Sequence, residues 1–587
     1  MKSLLPLLCV LGGLCGELLG ADPRPNVILI YTDDHGYSDL GIHGIQADLK
    51  TPHLDALARS GVVAKNGYST APQCVPSRGG LLTGRFQGRF NLDNNGSALD
   101  GFNQQTTIAE RLRDAGYATA QFGKWHLGAP TEIPDHGFQH VFSQNAQRPF
   151  SANIDLEGRD RPMSDLPPEE YHLDSCARAA AAVIERYHDQ PFFLYLAFRA
   201  PHTPLDAPQS YKDRFPGEMP ERRRAALGML AAVDDGVGLI TGTLAKHGLT
   251  EKTLIFFIGD NGAPLKIHKI DSPLEGDAGG WDGSLNDPMN GEKGMLAEGG
   301  MHVPFLIAWP GTIPGGQVYE HPVSALDVAA TAVGVADLDV KPGDLDGTNL
   351  IPFLKGEAKG APHEALHWRW MAQSAIREGN WKLLRGGERE YLYDLATDPG
   401  EKQNLAAEHP DKATRLREQL TDWCAELDPP GLALGPMAPN WNGYFDHYLE
   451  GKTVAPPAAK VVPESTAVRG WEARGGTLAE VDGVIVFTPE KKRRGGFLAK
   501  SRVELAGPVS VRIELKAPPG TGSVTWRVEG DKDFLPENRV PFTIEDSSDW
   551  QVHEFVLPAS EPVIHLRVQA PPGEASFRKL QFKSAGR

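Results

Sequence analysis

Cysteine, long apolar runs and surplus positive charge are all scarce in this 587-residue chain. Five cysteines are too few for a disulfide-built scaffold. Lys and Arg number 59 against 76 Asp and Glu, a formal charge of -17, which argues against nucleic acid as a partner. The deficit lies almost wholly before Val461: from there to the end, 18 basic residues face 17 acidic ones. Beyond the first residues no segment reads as long and apolar enough to span a bilayer. What the chain has instead is 40% hydrophobic and 23% charged residues, 64 Gly and 47 Pro. That is the composition of a large, loop-rich globular protein, and its length implies two or three domains.

The start has the pattern of a secretory signal peptide over residues 1–21. Lys2 is followed by the apolar run Leu4–Leu14, the small residues Gly20 and Ala21, and then the polar Asp22-Pro23-Arg24-Pro25. A secreted or periplasmic location is therefore expected. A buried N-terminal helix is the alternative, and a lipoprotein anchor at Cys15 is opposed by the bulky Leu14 before it. Removal of the leader leaves Cys74, Cys176 and Cys424, an odd number in an exported chain. Cys176 falls in the Ala-rich helical stretch Asp174–Arg186 and reads as a small core residue. Whether it pairs with Cys424 stays open.

From residue 22 to about 360, strand-like runs alternate with helical ones. Val27–Tyr31, Tyr117–Phe122, Phe192–Phe198, Leu254–Ile258 and Val303–Trp309 are apolar and rich in β-branched or aromatic residues. Thr107-x-x-Glu110 is a capping box, and Leu227, Leu230, Val233, Val237, Ile240 and Leu244 form a core-facing helical stripe. This predicts an α/β domain with a mostly parallel sheet flanked by helices. Residues 361–428 predict a small α+β subdomain, with strands at Ala375–Leu384 and Tyr391–Leu395 and a helix at Pro410–Cys424. Residues 429–463 are Pro-rich and read as a linker or surface arm. Residues 464–587 change to short alternating strands separated by turns such as Pro518-Pro519-Gly520, which predicts an all-β sandwich.

Four of the apolar runs end in polar clusters: Thr32-Asp33-Asp34, Gly123-Lys124-Trp125-His126, Arg199-Ala200-Pro201-His202 and Gly259-Asp260-Asn261-Gly262. Ligands of open parallel sheets bind at the carboxyl ends of strands, so the four are expected to converge. Each alone is weak, since Asp-Asp or Asp-Asn-Gly is commonly a turn. Asp33, Asp34, Asp260 and Asn261 offer oxygen, which suits a hard cation, Ca²⁺ or Mg²⁺, better than zinc. Arg78, Lys124, His126 and His202 are donors suited to a tetrahedral oxyanion.

A fifth element, Cys74-Val-Pro-Ser-Arg78 followed by Leu82-Thr-Gly-Arg85, resembles the signature of the type I, formylglycine-dependent sulfatases of the alkaline-phosphatase-like superfamily. Gly123-Lys-Trp-His-Leu-Gly128, Pro201-His-Thr-Pro204, Asp260-Asn-Gly262 and Lys293-Gly-Met-Leu-Ala-Glu-Gly-Gly300 are similar to further segments of that family. The resemblance spans about Asn26 to Leu427. It implies an alkaline-phosphatase-like fold and a Cys74 oxidised to formylglycine by a converting enzyme. It also implies a cation, Ca²⁺ or alternatively Mg²⁺, held by Asp33, Asp34, Asp260, Asn261 and the modified Cys74. Arg78 would hold the nucleophile, Lys124 and Lys293 would clamp sulfate, His202 would be the acid for the leaving alcohol and His126 the base of the second step. One departure is His302, where the family usually has arginine; no role is assigned to it.

The expected substrate is a sulfated carbohydrate or an aryl sulfate. A phosphate or phosphonate monoester hydrolase on the same scaffold, or a glycan-binding relic without turnover, are the rival readings. The stretch between Asn261 and Lys293, with Trp281-Asp-Gly-Ser284, reads either as a wall of the substrate pocket or as a surface loop. Lys491-Lys-Arg-Arg494 reads either as a contact for a sulfated polysaccharide or as a solvated hairpin tip.

Overall fold

The computed structural model describes residues 22–144, 149–265, 267, 283–432, 437–454, 468–481, 483–489, 496–528 and 534–584. The expected leader (residues 1–21), Trp281 and the Lys491–Arg494 run lie outside the described residues. The chain divides into two compact units, residues 1–459 and 460–587.

The first unit is built on ten strands: β1 Asn26–Asp33, β2 Val62–Ala64, β3 Ala118–Gly123, β4 His140–Ser143, β5 Phe150–Ile154, β6 Asp160–Leu166, β7 Phe192–Pro201, β8 Thr253–Gly259, β9 Phe305–Ala308 and β10 Gln317–Tyr319. Their order in the sheet is β10-β2-β9-β8-β1-β7-β3-β4-β5-β6. The centre, β8-β1-β7-β3-β4, is parallel, as continuous apolar runs buried on both faces require. β9 runs antiparallel to β8, and β5 and β6 add an antiparallel edge, so the sheet is mixed around a parallel core.

Alternation along β1 divides the core between two faces. Ile28 and Ile30 pack with the helices α3 (His172–Arg186) and α4 (Glu221–Lys246). Val27, Leu29 and Tyr31 pack with α1 (Cys74–Thr83) and α2 (Ile108–Asp114). The Thr107 capping box forms: its side chain accepts from Glu110 N, and the Glu110 carboxylate accepts from Thr107 N. The expected stripe of α4 is wholly buried. One reading needs correction here. α4 is long and apolar enough to cross a bilayer by length and composition; what marks it as a core helix is that most of it is buried.

The predicted α+β subdomain has four strands rather than two: β11 Leu366–Trp370, β12 Gln373–Glu378, β13 Trp381–Gly386 and β14 Arg389–Asp394, all antiparallel. The run expected as one strand, Ala375–Leu384, turns at Gly379 (φ 56°) and makes parts of two. Helix α5 (Pro410–Cys424) packs on this sheet through Leu416 and Leu420. The expected linker is also corrected: within it, α6 (Pro439–Tyr448) buries Tyr444 and Phe445 in the same core. Cys74, Cys176 and Cys424 are all free and buried, so Cys176 and Cys424 do not pair.

The second unit has two five-stranded antiparallel sheets. Its strands are β15 Glu472–Arg474, β16 Gly476–Val481, β17 Val484–Pro489, β18 Phe497–Leu505, β19 Val509–Lys516, β20 Gly520–Val528, β21 Arg539–Ile544, β22 Gln551–Leu557, β23 Val563–Gln569 and β24 Ala575–Ser584. The sheet orders are β15-β18-β23-β20-β21 and β16-β17-β24-β19-β22. Inward residues of both, among them Leu498, Ile513, Trp526 and Leu566, form one core, as in a sandwich.

Candidate active site

Strand register brings the polar clusters to one edge. Thr32 is level with Gly259, Asp33 with Pro201, and Gly123 with Ala197, so the chain beyond each strand emerges at the same end of the sheet. Asp34 has φ 59° and His126 φ 64°: both strands turn sharply as they end, aiming consecutive side chains into one space.

Cys74 opens α1. The positive end of a helix dipole favours anions beside it. Asn95 Oδ1 accepts from Val75 N at 3.0 Å and so caps the first turn from a distant loop. Cys74 Sγ donates to Asp33 Oδ1 at 3.3 Å. Burial pushes the thiol well up, against the pull of Lys124 and Lys293, so it stays protonated at neutral pH.

The charges around it are arranged in pairs. Lys124 Nζ lies 2.5 Å from Asp33 Oδ2, and Lys293 Nζ 2.7 Å from Asp34 Oδ2. Arg78, one turn along α1 from Cys74, donates to Asp260 Oδ2 at 2.8 Å. It also reaches the Lys124 carbonyl and the Tyr195 hydroxyl, both at 3.1 Å. These carboxylates and Arg78 are fully buried. Burial works against an ionised Asp33, but Lys124, His202 and Arg78 overcome it and hold the group well below the usual carboxylate range. Asp260 goes the other way: burial and the neighbouring Asp33 push it up to about 7.

The donor set fits a hard cation. Three buried carboxylates converge, and Asn261 Oδ1 is buried without a hydrogen-bond partner, while its Nδ2 donates to Asp34 Oδ1 at 2.6 Å. Asp33, Asp34, Cys74 and His202 each offer an atom within 4.8 Å of the others. Asp260 lies outside that group, and its oxygens accept from Arg78 and from Asp34 N.

The two histidines differ. His202 Nδ1 donates to the Thr203 carbonyl at 2.6 Å, leaving Nε2 facing Asp34 Oδ2 at 3.6 Å. Its turn is gripped by Arg199, whose guanidinium donates to the carbonyls of His202 (3.2 Å) and Pro204 (3.4 Å) while bound to Asp206 at 2.8 Å. His126 Nδ1 is buried without a partner, and burial, then Lys124 and Arg78, push the ring down to about 2, so it is neutral.

The structure thus brings Asp33, Asp34, Cys74, Arg78, Lys124, His202, Asp260, Asn261 and Lys293 together, with His126 beside them; Lys293, far from any strand end in sequence, is fully engaged. Sequence reasoning assigned no role to three supports. Tyr195 lies inside an apolar strand and reads as core, yet its hydroxyl accepts from Arg78. Arg199 stands in one of the expected polar clusters but was given no role of its own. Gln373, from the subdomain, clamps the Lys293 loop: its Nε2 donates to Gly294 O at 2.8 Å and its Oε1 accepts from Leu296 N at 2.9 Å.

His302, left without a role, lies between Glu298 Oε2 (3.0 Å) and the Lys65 carbonyl (2.7 Å). Lys382 of β13 joins that Glu298 at 2.7 Å and Glu401 at 2.9 Å. This ion network fastens the subdomain to the sheet rather than serving the site. Of the stretch before Lys293, the described end is anchored: Ser284 Oγ donates to Asp39 Oδ2 at 2.7 Å and Asn286 Nδ2 to Ala263 O at 2.9 Å.

Comparison with known proteins agrees with this geometry. The sulfatase family matches residues 25–338, and the C-terminal family of N-sulphoglucosamine sulphohydrolase matches residues 291–427. Arylsulfatase A of Homo sapiens is 31% identical over 486 residues, covering 70% of this chain and 90% of that protein. N-acetylgalactosamine-6-sulfatase of Sus scrofa is 29% identical over 535 residues, covering 78% and 97%. The crystal structure of Ps i-CgsB superposes with a TM-score of 0.62 at 29% identity, covering 71% and 97%. The same protein has been solved in complex with k-i-k-neocarrahexaose. The chain belongs to the sulfatase family, and is a sulfuric ester hydrolase on an alkaline-phosphatase-like fold.

Proposed function

We propose that this enzyme removes sulfate from a sulfated carbohydrate, using a formylglycine made from Cys74 as its nucleophile and a Ca²⁺ ion held by Asp33, Asp34, Asp260 and Asn261. The observation that carries the reading is the setting of Cys74. Its sulfur is buried at a helix start among two lysines, an arginine and three carboxylates, yet the thiol is held protonated. A protonated thiol is a poor nucleophile. In the mature enzyme its sulfur would be replaced by the oxygens of a hydrated aldehyde, made by a formylglycine-generating enzyme of the host. The leader pattern and the odd cysteine fit an exported enzyme matured in this way.

A formylglycine at Cys74 would supply a hydrated-aldehyde nucleophile for the sulfate sulfur and so divide one hard displacement into two easier steps. His202 would protonate the alcohol oxygen as its bond to sulfur breaks. Neutral His126 would take the proton whose loss lets sulfate leave. Lys124 and Lys293 hold sulfate oxygens, and Arg78 holds Asp260 and the α1 turn in place. A bound divalent cation supplies a lowered pKa for the attacking hydroxyl and charge neutralisation for sulfate.

The carbohydrate substrate is supported by relatives whose names carry one, the N-acetylgalactosamine-6-sulfatase and the Ps i-CgsB complex. The test is kcat/KM on matched sulfate and phosphate esters of one alcohol. The proposal expects the sulfate ester to be preferred by orders of magnitude. Equal or reversed preference would establish the phosphate or phosphonate reading instead.

A further inference from the structure

The family matches end at residue 427, which leaves the sandwich without an assignment. Its two outer faces differ. On one, a surface cleft of about 460 Å³ contains Arg512 and Glu554, which pair with each other, beside the half-exposed Val556. Lys583 also lines that cleft.

The other face is built differently. Register places two rows of outward side chains across β18, β23, β20 and β21. Ala499, Arg567, Thr525 and Arg539 stand in line, and next to them the line Gln569, Ser523 and Pro541 with Phe497 at its β18 end. The alternate residues, Leu498, Val568, Val524 and Trp526, point into the core, so this outward set is fixed by the pleat. A cleft of about 320 Å³ opens here, lined by Phe497, Phe534, Arg539, Arg567 and Gln569 among others. The Arg567 guanidinium sits 3.5 Å from the Phe534 ring centre and 5.0 Å from that of Phe497. Arg474 and Arg527 extend the same face: together with Arg567 they depress His565, after burial. Arg474 pairs with Glu472 at 3.2 Å. Among the described residues, four arginines share this sheet face.

We propose that this cleft is a binding site for a sulfated polysaccharide, separate from the catalytic centre. Guanidinium forks match the paired oxygens of a sulfate group. Phe497 and Phe534 offer flat apolar surfaces on which the C–H face of a sugar ring stacks. The polar Ser523, Thr525 and Gln569 between them are hydrogen-bond partners for ring hydroxyls, and mostly apolar clefts with a few such groups are how proteins orient small polar ligands. The proposal rests on the sulfated-carbohydrate reading and adds that the enzyme holds its polymer at a second place.

The test uses the full chain carrying Cys74→Ala, so that binding is measured without turnover. Migration in gels containing a sulfated galactan is compared with migration in gels containing the same polymer after chemical desulfation. Retardation by the sulfated polymer alone is expected. Arg539→Glu, at an exposed position that leaves the core untouched, should weaken it roughly tenfold or more, the scale of a lost charged hydrogen bond; Phe534→Ala should weaken it with net charge unchanged. In the active enzyme, Arg539→Glu should raise KM on the polymer and leave an aryl sulfate unaffected. Unaltered retardation of Arg539→Glu would overturn the site. A wild-type chain that desulfates the polymer without being retarded also overturns it, while sparing the substrate reading. Retardation without any desulfation keeps the site and removes the polymer as substrate.

Discussion

In the first unit, Asp33, Asp34, Asp260 and Arg78 are completely buried, each within reach of an opposite charge. In the second, Arg474, Arg527, Arg539 and Arg567 are exposed or half-buried on an open sheet face. The contrast says what each unit tolerates. Removing one partner of a buried pair leaves an uncompensated charge, at about 3–5 kcal/mol. Removing an exposed charge costs little stability. Single substitutions of these buried charges should therefore damage chemistry and fold together, whereas those on the sandwich face should alter binding alone.

The sharpest break between the units is at the nucleophile. Cys74→Ala should lower turnover of an aryl sulfate by roughly 10⁴-fold or more with unchanged unfolding, because an alanine fits where the thiol is already neutral. Steady-state kinetics beside a thermal melt checks both halves. Next in size is His202→Ala, at about 10²–10⁴-fold on an alkyl sulfate. The loss should shrink on 4-nitrophenyl sulfate, whose leaving group needs no proton; equal losses on both would remove His202 as the acid. Arg199→Met should follow the same leaving-group pattern at about 10–100-fold, since Arg199 acts only by holding the His202 turn. A purely structural Arg199 would lower both substrates alike.

Chelation separates the units thermally. With the proposed Ca²⁺ removed, the carboxylates and the orphaned Asn261 Oδ1 would lose the partner assigned to them. Activity should vanish and the melting transition of the first unit should fall, while that of the sandwich stays in place. The smallest effect on chemistry is expected from Trp526→Ala. This buried tryptophan should cost the sandwich about 3–5 kcal/mol and leave kcat on an aryl sulfate unchanged.

The parts legible in the sequence were those carried by local pattern. Apolar runs ending in Asp33-Asp34, Lys124, His202 and Asp260 mark strand ends, because a buried parallel strand must be apolar until it leaves the sheet. Strands with weaker patterns were missed. Asp160–Leu166 is an edge strand whose residues are largely exposed, and Arg539–Ile544 begins with charge. Gly379 hid a turn inside what reads as one strand, and prolines up to Pro439 disguised a helix, since Pro is as welcome at the first helical turn as in a linker. Tyr195 and Gln373 were invisible for another reason. Their partners are fixed by tertiary register, and nothing within a few residues distinguishes them from core or loop positions.

The most direct measurement is mass spectrometry of the peptide containing Cys74, taken from enzyme shown to be active. The account predicts a residue whose sulfur has been exchanged for oxygen with loss of two hydrogens, in a fraction that tracks specific activity. Fully active enzyme carrying only unmodified cysteine would contradict it.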